Sequence, residues 1–131
     1  MYKTLVVIDD DVDDLNIMKD IIKDVDPTIR CTSFLYSEEA IRLIIKEWMV
    51  VPDYIIIDMN MPLKNGQECL IDLRKHELLD NTAIIIYSTT VVPALRSELL
   101  ANGATHVFQK PVTINDWHTI VRKLIVNDWT F

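Results

Sequence analysis

Four apolar runs in the chain end in residues suited to handling phosphate or a divalent cation. Leu5 to Ile8 runs into Asp9, Asp10 and Asp11; Tyr54 to Ile57 runs into Asp58; Ala83 to Tyr87 runs into Ser88 and Thr89; Val107 and Phe108 lead to Lys110. Open α/β folds place their ligands at the carboxyl ends of their strands, so the recurrence predicts one site at one sheet edge. At least two of the three consecutive aspartates must crowd Asp58. Carboxylates about 4 Å apart repel by roughly 4 kcal/mol at an effective dielectric near 20, so such a cluster needs a cation or a proton among its members. Mg²⁺ suits it, being satisfied by a few carboxylates, a carbonyl and a phosphate oxygen. Asp58 at a strand end can act as a nucleophile and form an acyl phosphate. The Lys110 ammonium can neutralise phosphoryl oxygens, and the Ser88 hydroxyl can donate to one. Taken singly, each residue has an ordinary explanation, as a helix cap, a turn residue or a solvated surface group. One aspartate of the three is expected to cap the first helix.

The scaffold that must bring them together is legible in the periodicity. Strands are expected near residues 3 to 8, 29 to 34, 53 to 57, 83 to 88 and 105 to 109, mostly as continuous Val, Ile and Leu, the pattern of strands covered on both faces. Between them, Leu15, Met18, Ile22 and Val25 step at helical spacing, as do Ile41, Ile44, Ile45 and Trp48, Leu70 with Leu73, Leu95 with Leu99, and Ile114, Trp117, Val121 and Leu124. Ser37 can cap the second helix, Pro93 suits the first turn of the fourth, Gly103 follows its end, and Thr113 with Asp116 reads as a capping box. Alternating strand and helix predict a parallel sheet with right-handed crossovers and helices on both faces.

Composition narrows the function. A chain of 131 residues, half of them apolar, fits one compact domain, expected over 1–126 with 127–131 as a tail. The net charge of -7 argues against nucleic-acid binding. The only glycines, Gly66 and Gly103, cannot form a dinucleotide fingerprint or a P-loop. Cys31 and Cys69 read as free thiols, His76, His106 and His118 show no metal-ligand spacing, and no run approaches the roughly 20 apolar residues of a membrane helix. A cytoplasmic location without membrane contact is expected.

The acidic run after Val6-Val7-Ile8, Asp58-Met59-Asn60-Met61-Pro62 with Gly66, Ser88-Thr89, and Lys110-Pro111 together resemble the receiver domain of two-component response regulators, the CheY-like family, across essentially the whole chain. The resemblance implies a doubly wound (βα)5 flavodoxin-like fold with strand order 2-1-3-4-5. It implies that Asp9 and Asp10 bind Mg²⁺ or Mn²⁺ with Asp58 and the Asn60 backbone carbonyl, that Asp58 accepts the phosphoryl group, that Ser88 is the switch hydroxyl, and that Lys110 contacts the phosphate. It further implies a Lys110–Pro111 bond that is cis, and side chains at Asn60 and Thr90 that tune water access. The expected role is a single-domain phosphoacceptor in signal transduction rather than an enzyme. Its donor would be a sensor histidine kinase or phosphotransfer protein. Its output would be an unnamed protein met by the fourth helix, last strand and last helix, with the chain a monomer or weak dimer.

One position departs from the pattern: the family's switch aromatic, three residues before the lysine, is Val107 here. Tyr87, Phe108 and Trp117 are expected to fill core space rather than replace it, and Trp129 and Phe131 to form a frayed or back-packed tail, with docking on a partner as the alternative. Two rivals stand beside the main reading. A haloacid-dehalogenase-like phosphatase would use the same strand-end Asp, hydroxyl and Lys, but needs an acid pair after Lys110, where only Asp116 and Asp128 follow. A degenerate receiver would act as a binding module without phosphorylation.

Overall fold

A computed structural model describes residues 2–47 and 50–131; Trp48, expected on the apolar stripe of the second helix, lies outside the described residues. The strands are β1 (Thr4–Ile8), β2 (Arg30–Phe34), β3 (Tyr54–Asp58), β4 (Ala83–Ser88) and β5 (His106–Gln109). The helices are α1 (Val12–Val25), α2 (Ser37–Arg42), which runs into a π turn at Leu43–Glu47, α3 (Gly66–Arg74), α4 (Pro93–Ala101) and α5 (Ile114–Leu124), with a short 3-10 turn at Glu77–Leu79. All strand pairs are parallel, in the order β2-β1-β3-β4-β5. This is the doubly wound topology, with the strand order, that the family resemblance implied.

The continuous apolar strands are buried on both faces because each face carries its own helix layer. Val6, Ile8, Ile55, Ile57, Ile84, Ile86 and Val107 meet α2 with its π turn, α3 and α4 through Ala40, Ile44, Leu70, Leu73 and Leu99. Leu5, Val7, Tyr54, Ile56, Ile85, Tyr87 and Phe108 meet α1 and α5 through Leu15, Met18, Ile22, Trp117, Val121 and Leu124. Period-two alternation therefore decides which helix layer each strand residue touches, and it continues into the residues just beyond the strand ends.

The caps follow local chemistry, with two corrections. Asp11 caps α1, accepting from the Asp13 and Asp14 amides, and Pro93 opens α4. Gly103, at φ +105°, takes the left-handed turn that ends α4 at no Cβ cost. Ser37 is not a cap: Tyr36 holds that place without a side-chain bond, and Ser37 is the buried first residue of α2. Thr113 caps α5 through the Asp116 amide at 3.1 Å, but the reciprocal box occurs instead at α3. There Asn65 accepts from the Glu68 amide at 2.9 Å, and the Glu68 carboxylate accepts from the Asn65 amide at 3.2 Å.

Gly66, where α3 begins, lies against the backbone of the strand end that carries Asp58. A Cβ at that position would stand 2.7 Å from the Asp58 carbonyl oxygen and 2.8 Å from the Met59 Cα. Because the obstacles are backbone atoms, Gly66→Ala is expected to destabilise the protein by about 1–3 kcal/mol, read as a lowered urea midpoint. An unchanged midpoint would show that the strand end and α3 separate freely.

The residues after α5 turn back onto the sheet. Phe131 sits 4.4 Å from the His106 ring and 5.5 Å from the Phe108 ring, with Trp129 stacked on His106 at 5.8 Å. The Phe131 carbonyl oxygen lies 2.8 Å from His106 Nε2. The tail is thus packed on the face shared with α5.

Candidate functional site

Register sets the site. In the β3–β4 pair Asp58 lies opposite Tyr87, and in the β4–β5 pair Tyr87 lies opposite Phe108. The pairing persists past the strand ends, where the Met59 amide donates to the Tyr87 carbonyl and the Lys110 amide to the Ser88 carbonyl, both at 2.8 Å. By the alternation above, Asp9, Asp58, Tyr87 and Lys110 belong to the α1/α5 side of the edge, and Asp10 and Ser88 to the other.

One carboxylate oxygen from each of Asp9, Asp10 and Asp58 lies within 4.8 Å of the others. Asp9 and Asp58 are buried, at 0% and 7% exposure, whereas Asp10 faces solvent. Asp9 Oδ1 accepts from the Asp11 amide at 2.9 Å, and its Oδ2 from the Tyr87 hydroxyl. Asp58 Oδ1 accepts from the Asn60 amide at 3.0 Å. Burial pushes the Asp9 carboxyl up to about 6, with the Asp58 and Asp14 charges adding to the rise and the Tyr87 and Asp11 hydrogen bonds opposing it. Burial likewise raises Asp58, against the Asn60 amide and the Lys110 charge that lower it. The cluster is electrostatically uncomfortable when ionised, as three converging acids must be.

Lys110 supplies part of the counter-charge, through a partner the sequence did not disclose. Its ammonium donates to Asp14, on the first turn of α1, and lies 5.6 Å from the Tyr87 ring centroid. Burial alone would lower its pKa, but Asp14, Asp9 and Asp58 raise it, so the lysine stays charged. Asp14 lies in the acidic first turn of α1, but nothing local in the sequence pairs it with a lysine 96 positions away. The Lys110–Pro111 bond is trans, since no peptide bond among the described residues is cis; the cis expectation is corrected.

Ser88 and Asn60 are joined side chain to side chain. The Ser88 hydroxyl donates to Asn60 Oδ1 at 3.0 Å, and the same oxygen accepts from the Thr89 amide at 3.2 Å and the Thr89 hydroxyl at 3.3 Å. One amide oxygen thus anchors the loop after β4. Asn60→Ala is expected to speed hydrogen exchange at the Thr89 amide and to destabilise the protein by about 1 kcal/mol. Unaltered Thr89 exchange would show that the loop holds itself.

Val107, at the expected switch position, is fully buried against the α2–α4 layer. Tyr87, Phe108 and Trp117 are buried and in mutual ring contact, as expected of core aromatics. The Tyr87 hydroxyl is the exception, because it reaches an acid of the site.

Against known proteins, the chain matches the family described as Response regulator receiver domain over residues 5–122. The chain belongs to the response regulator receiver domain family. This receiver domain is 31% identical over 123 residues to the probable C4-dicarboxylate response regulator DctR of Bacillus subtilis (strain 168), covering 93% of the chain and 51% of the relative. It is 33% identical over 73 residues to hybrid signal transduction histidine kinase D of Dictyostelium discoideum, covering 56% of the chain and 5% of that protein. The receiver domain therefore spans about half the length of the first relative and a small part of the second. Among solved structures, the phosphorylated cyanobacterial phytochrome response regulator RcpA superposes with a TM-score of 0.85 at 18% identity, covering 98% of this chain and 94% of that one. Vibrio cholerae CheY4 superposes with 0.82 at 23% identity, covering 96% and 98%. A Mn²⁺-bound form of response regulator Rcp1 superposes with 0.82 at 14% identity, covering 98% and 95%. These likenesses show the CheY-like fold.

The donors present fit a hard divalent cation. Three carboxylate oxygens converge, two of them on buried groups, and carboxylates with a backbone carbonyl are the oxygen set such ions take. Asp116 and Asp128, the acids after Lys110, stand instead in the first turn of α5 and in the tail, where Asp128 accepts from Thr130. No helix among the described residues is long and apolar enough to cross a membrane.

Proposed function

We propose that the chain is a receiver domain that takes a phosphoryl group from a phosphohistidine of a sensor kinase or phosphotransfer protein onto Asp58. The observation that carries this reading is the convergence of Asp9, Asp10 and Asp58 at one strand edge, beside Lys110 and Ser88. Asp9, Asp10, Asp58 and the Asn60 carbonyl would hold the cation, of which Mg²⁺ is the form proposed. When bound, the cation supplies positive charge that offsets the carboxylates and the phosphoryl oxygens.

A carboxylate oxygen of Asp58 attacks phosphorus; the new O–P bond forms as the N–P bond to the donor imidazole breaks. The imidazole leaves with the bonding pair and takes a proton. Asp58 Oδ1 is oriented by the Asn60 amide at 3.0 Å, which leaves Oδ2 as the reacting oxygen. Lys110 can turn from Asp14 to the phosphoryl group, exchanging one carboxylate partner for another anion. Ser88 can exchange Asn60 Oδ1 for a phosphoryl oxygen. That exchange would remove one of the three bonds that anchor the loop on Asn60, loosening it so that the α4–β5–α5 surface, the proposed meeting place for a downstream protein, can repack.

The surroundings suit a protein donor. Val12, Leu63, Val92, Val112 and Ile114 are exposed on the segments that rim this edge, and Leu63 and Val112 are almost wholly so. Such an apolar rim around a polar pocket fits a helical partner carrying the phosphohistidine. Incubation with acetyl phosphate and Mg²⁺, followed by intact mass, tests the reading. One phosphate-sized gain is expected; no gain in the native protein would overturn it, and repeated turnover of small phosphomonoesters would replace it with the phosphatase reading.

A further inference from the structure

We infer that Tyr87 is a positioning residue for the divalent cation: its hydroxyl holds the Asp9 carboxylate in the orientation that faces Asp10 and Asp58. The inference rests on the metal-assisted reading above and extends it to a residue outside the acid cluster.

Asp9 has no exposure to solvent, and each of its oxygens has one protein donor, the Asp11 amide for Oδ1 and the Tyr87 hydroxyl for Oδ2. A carboxylate oxygen offers two lone-pair directions, so both oxygens keep one for an ion while the two donors fix the plane of the group. The Asp11 bond is local and comes with the helix cap. The Tyr87 bond comes from two strands away and fixes the carboxylate relative to the sheet.

Tyr87 can serve as such a fixture because its ring is packed in place. Its ring is 1% exposed, meets Trp117 edge-on at 5.8 Å and 88°, and lies against Phe108 at 5.8 Å. The Lys110 ammonium stands over it at 5.6 Å. The register that sets Tyr87 opposite Asp58 also places it on the sheet face that carries Asp9. Packing alone could be met by the ring; the hydroxyl is what reaches the carboxylate. A group held in its binding orientation beforehand spares the ion the work of ordering it. Hydrogen-bond partners of metal-ligating carboxylates are worth about 10–100-fold in metal affinity.

The test is Tyr87→Phe, which removes one oxygen and keeps the ring. Mn²⁺ alone is titrated into parent and variant, the free ion is followed by electron paramagnetic resonance, and Mg²⁺ is added in competition. Mn²⁺ affinity is expected to fall by about ten-fold or more. Labelling by acetyl phosphate is expected to need more Mg²⁺ and to reach the parent rate at saturation, a split that general loosening would not produce. Phe108→Leu, which trims one wall of the same ring cluster but leaves the Tyr87 hydroxyl on Asp9, is expected to lose clearly less affinity than Tyr87→Phe. In an Asp9→Asn background, Tyr87→Phe is expected to change affinity little further, because the contact is already altered. Equal affinity in parent and Tyr87→Phe, or an equal loss in Phe108→Leu, would overturn the role of Tyr87 alone. A parent protein that binds no Mn²⁺ would overturn the metal site itself and this inference with it.

Discussion

Asp58→Asn protein incubated with acetyl phosphate and Mg²⁺ is expected to keep its mass while the parent gains one phosphate. An amide oxygen is a poor nucleophile and cannot carry the acyl phosphate, so the fall in labelling is expected to be at least about a thousand-fold, the scale seen when a nucleophile is removed from a covalent mechanism. The substitution should leave the fold intact. The amide oxygen can still accept from the Asn60 amide, as Asp58 Oδ1 does at 3.0 Å. Stability without metal should rise at neutral pH, because burial raises the Asp58 pKa and its ionised form is held at a loss. Loss of labelling together with higher metal-free stability would identify Asp58 as a residue kept for chemistry rather than for folding. Full labelling of the variant would move the phosphoacceptor elsewhere and remove the basis of the proposed function.

The second large effect is the dependence of metal-free stability on pH. Asp9 titrates at about 6 in the fold, against a reference of 3.8 for an unperturbed carboxyl. Between those values the folded state binds the proton that the unfolded chain has released, so stability must fall as pH rises through this window. The contribution is fully present below about pH 4 and gone above about pH 6; at about 1.4 kcal/mol per pKa unit it amounts to roughly 3 kcal/mol. Asp72, lowered by its bond to Lys64, and Asp26 and Asp128, lowered by threonine hydroxyls, act in the opposite sense. Asp58, also raised by burial, acts in the same sense as Asp9, so the contrast between parent and Asp9→Asn, measured as urea midpoints in chelator, reads the two acids as a pair. Above pH 6, Mg²⁺ in hundred-fold excess over its dissociation constant should restore about 2.7 kcal/mol to the parent. A parent-minus-variant difference that is flat from pH 4 to pH 7 would show that Asp9 is not strained by its neighbours.

Sequence and structure meet most closely where burial dictates residue type. β3 and β4 could be recognised because a strand covered by helices on both faces must be apolar at every position, as Tyr54-Ile55-Ile56-Ile57 and Ile84-Ile85-Ile86-Tyr87 are. The acids stood out for the complementary reason, since one cap accounts for Asp11 alone and leaves Asp9, Asp10 and Asp58 without a folding role. Caps were less legible: Ser37 and Asn65 are both acceptable capping types, and only the backbone path decides that the first is buried inside α2 and the second closes a reciprocal box.

By itself, the order of residues determined the alternation of strand and helix, the edge where chemistry gathers, and the acids that gather there, because these follow from period and position along a single element. What touches what across the edge was decided by the tertiary structure. Lys110 meets Asp14 across 96 positions, Tyr87 meets Asp9 across 78, and Ser88 meets Asn60 across 28. These pairings depend on strand order, on a register accurate to one residue, and on which face each side chain takes. A shift of one residue in β4 would turn the Tyr87 hydroxyl away from Asp9 toward the opposite helix layer. Hydrogen bonds between distant residues leave no local pattern, since either partner alone looks like an ordinary strand end or helix turn.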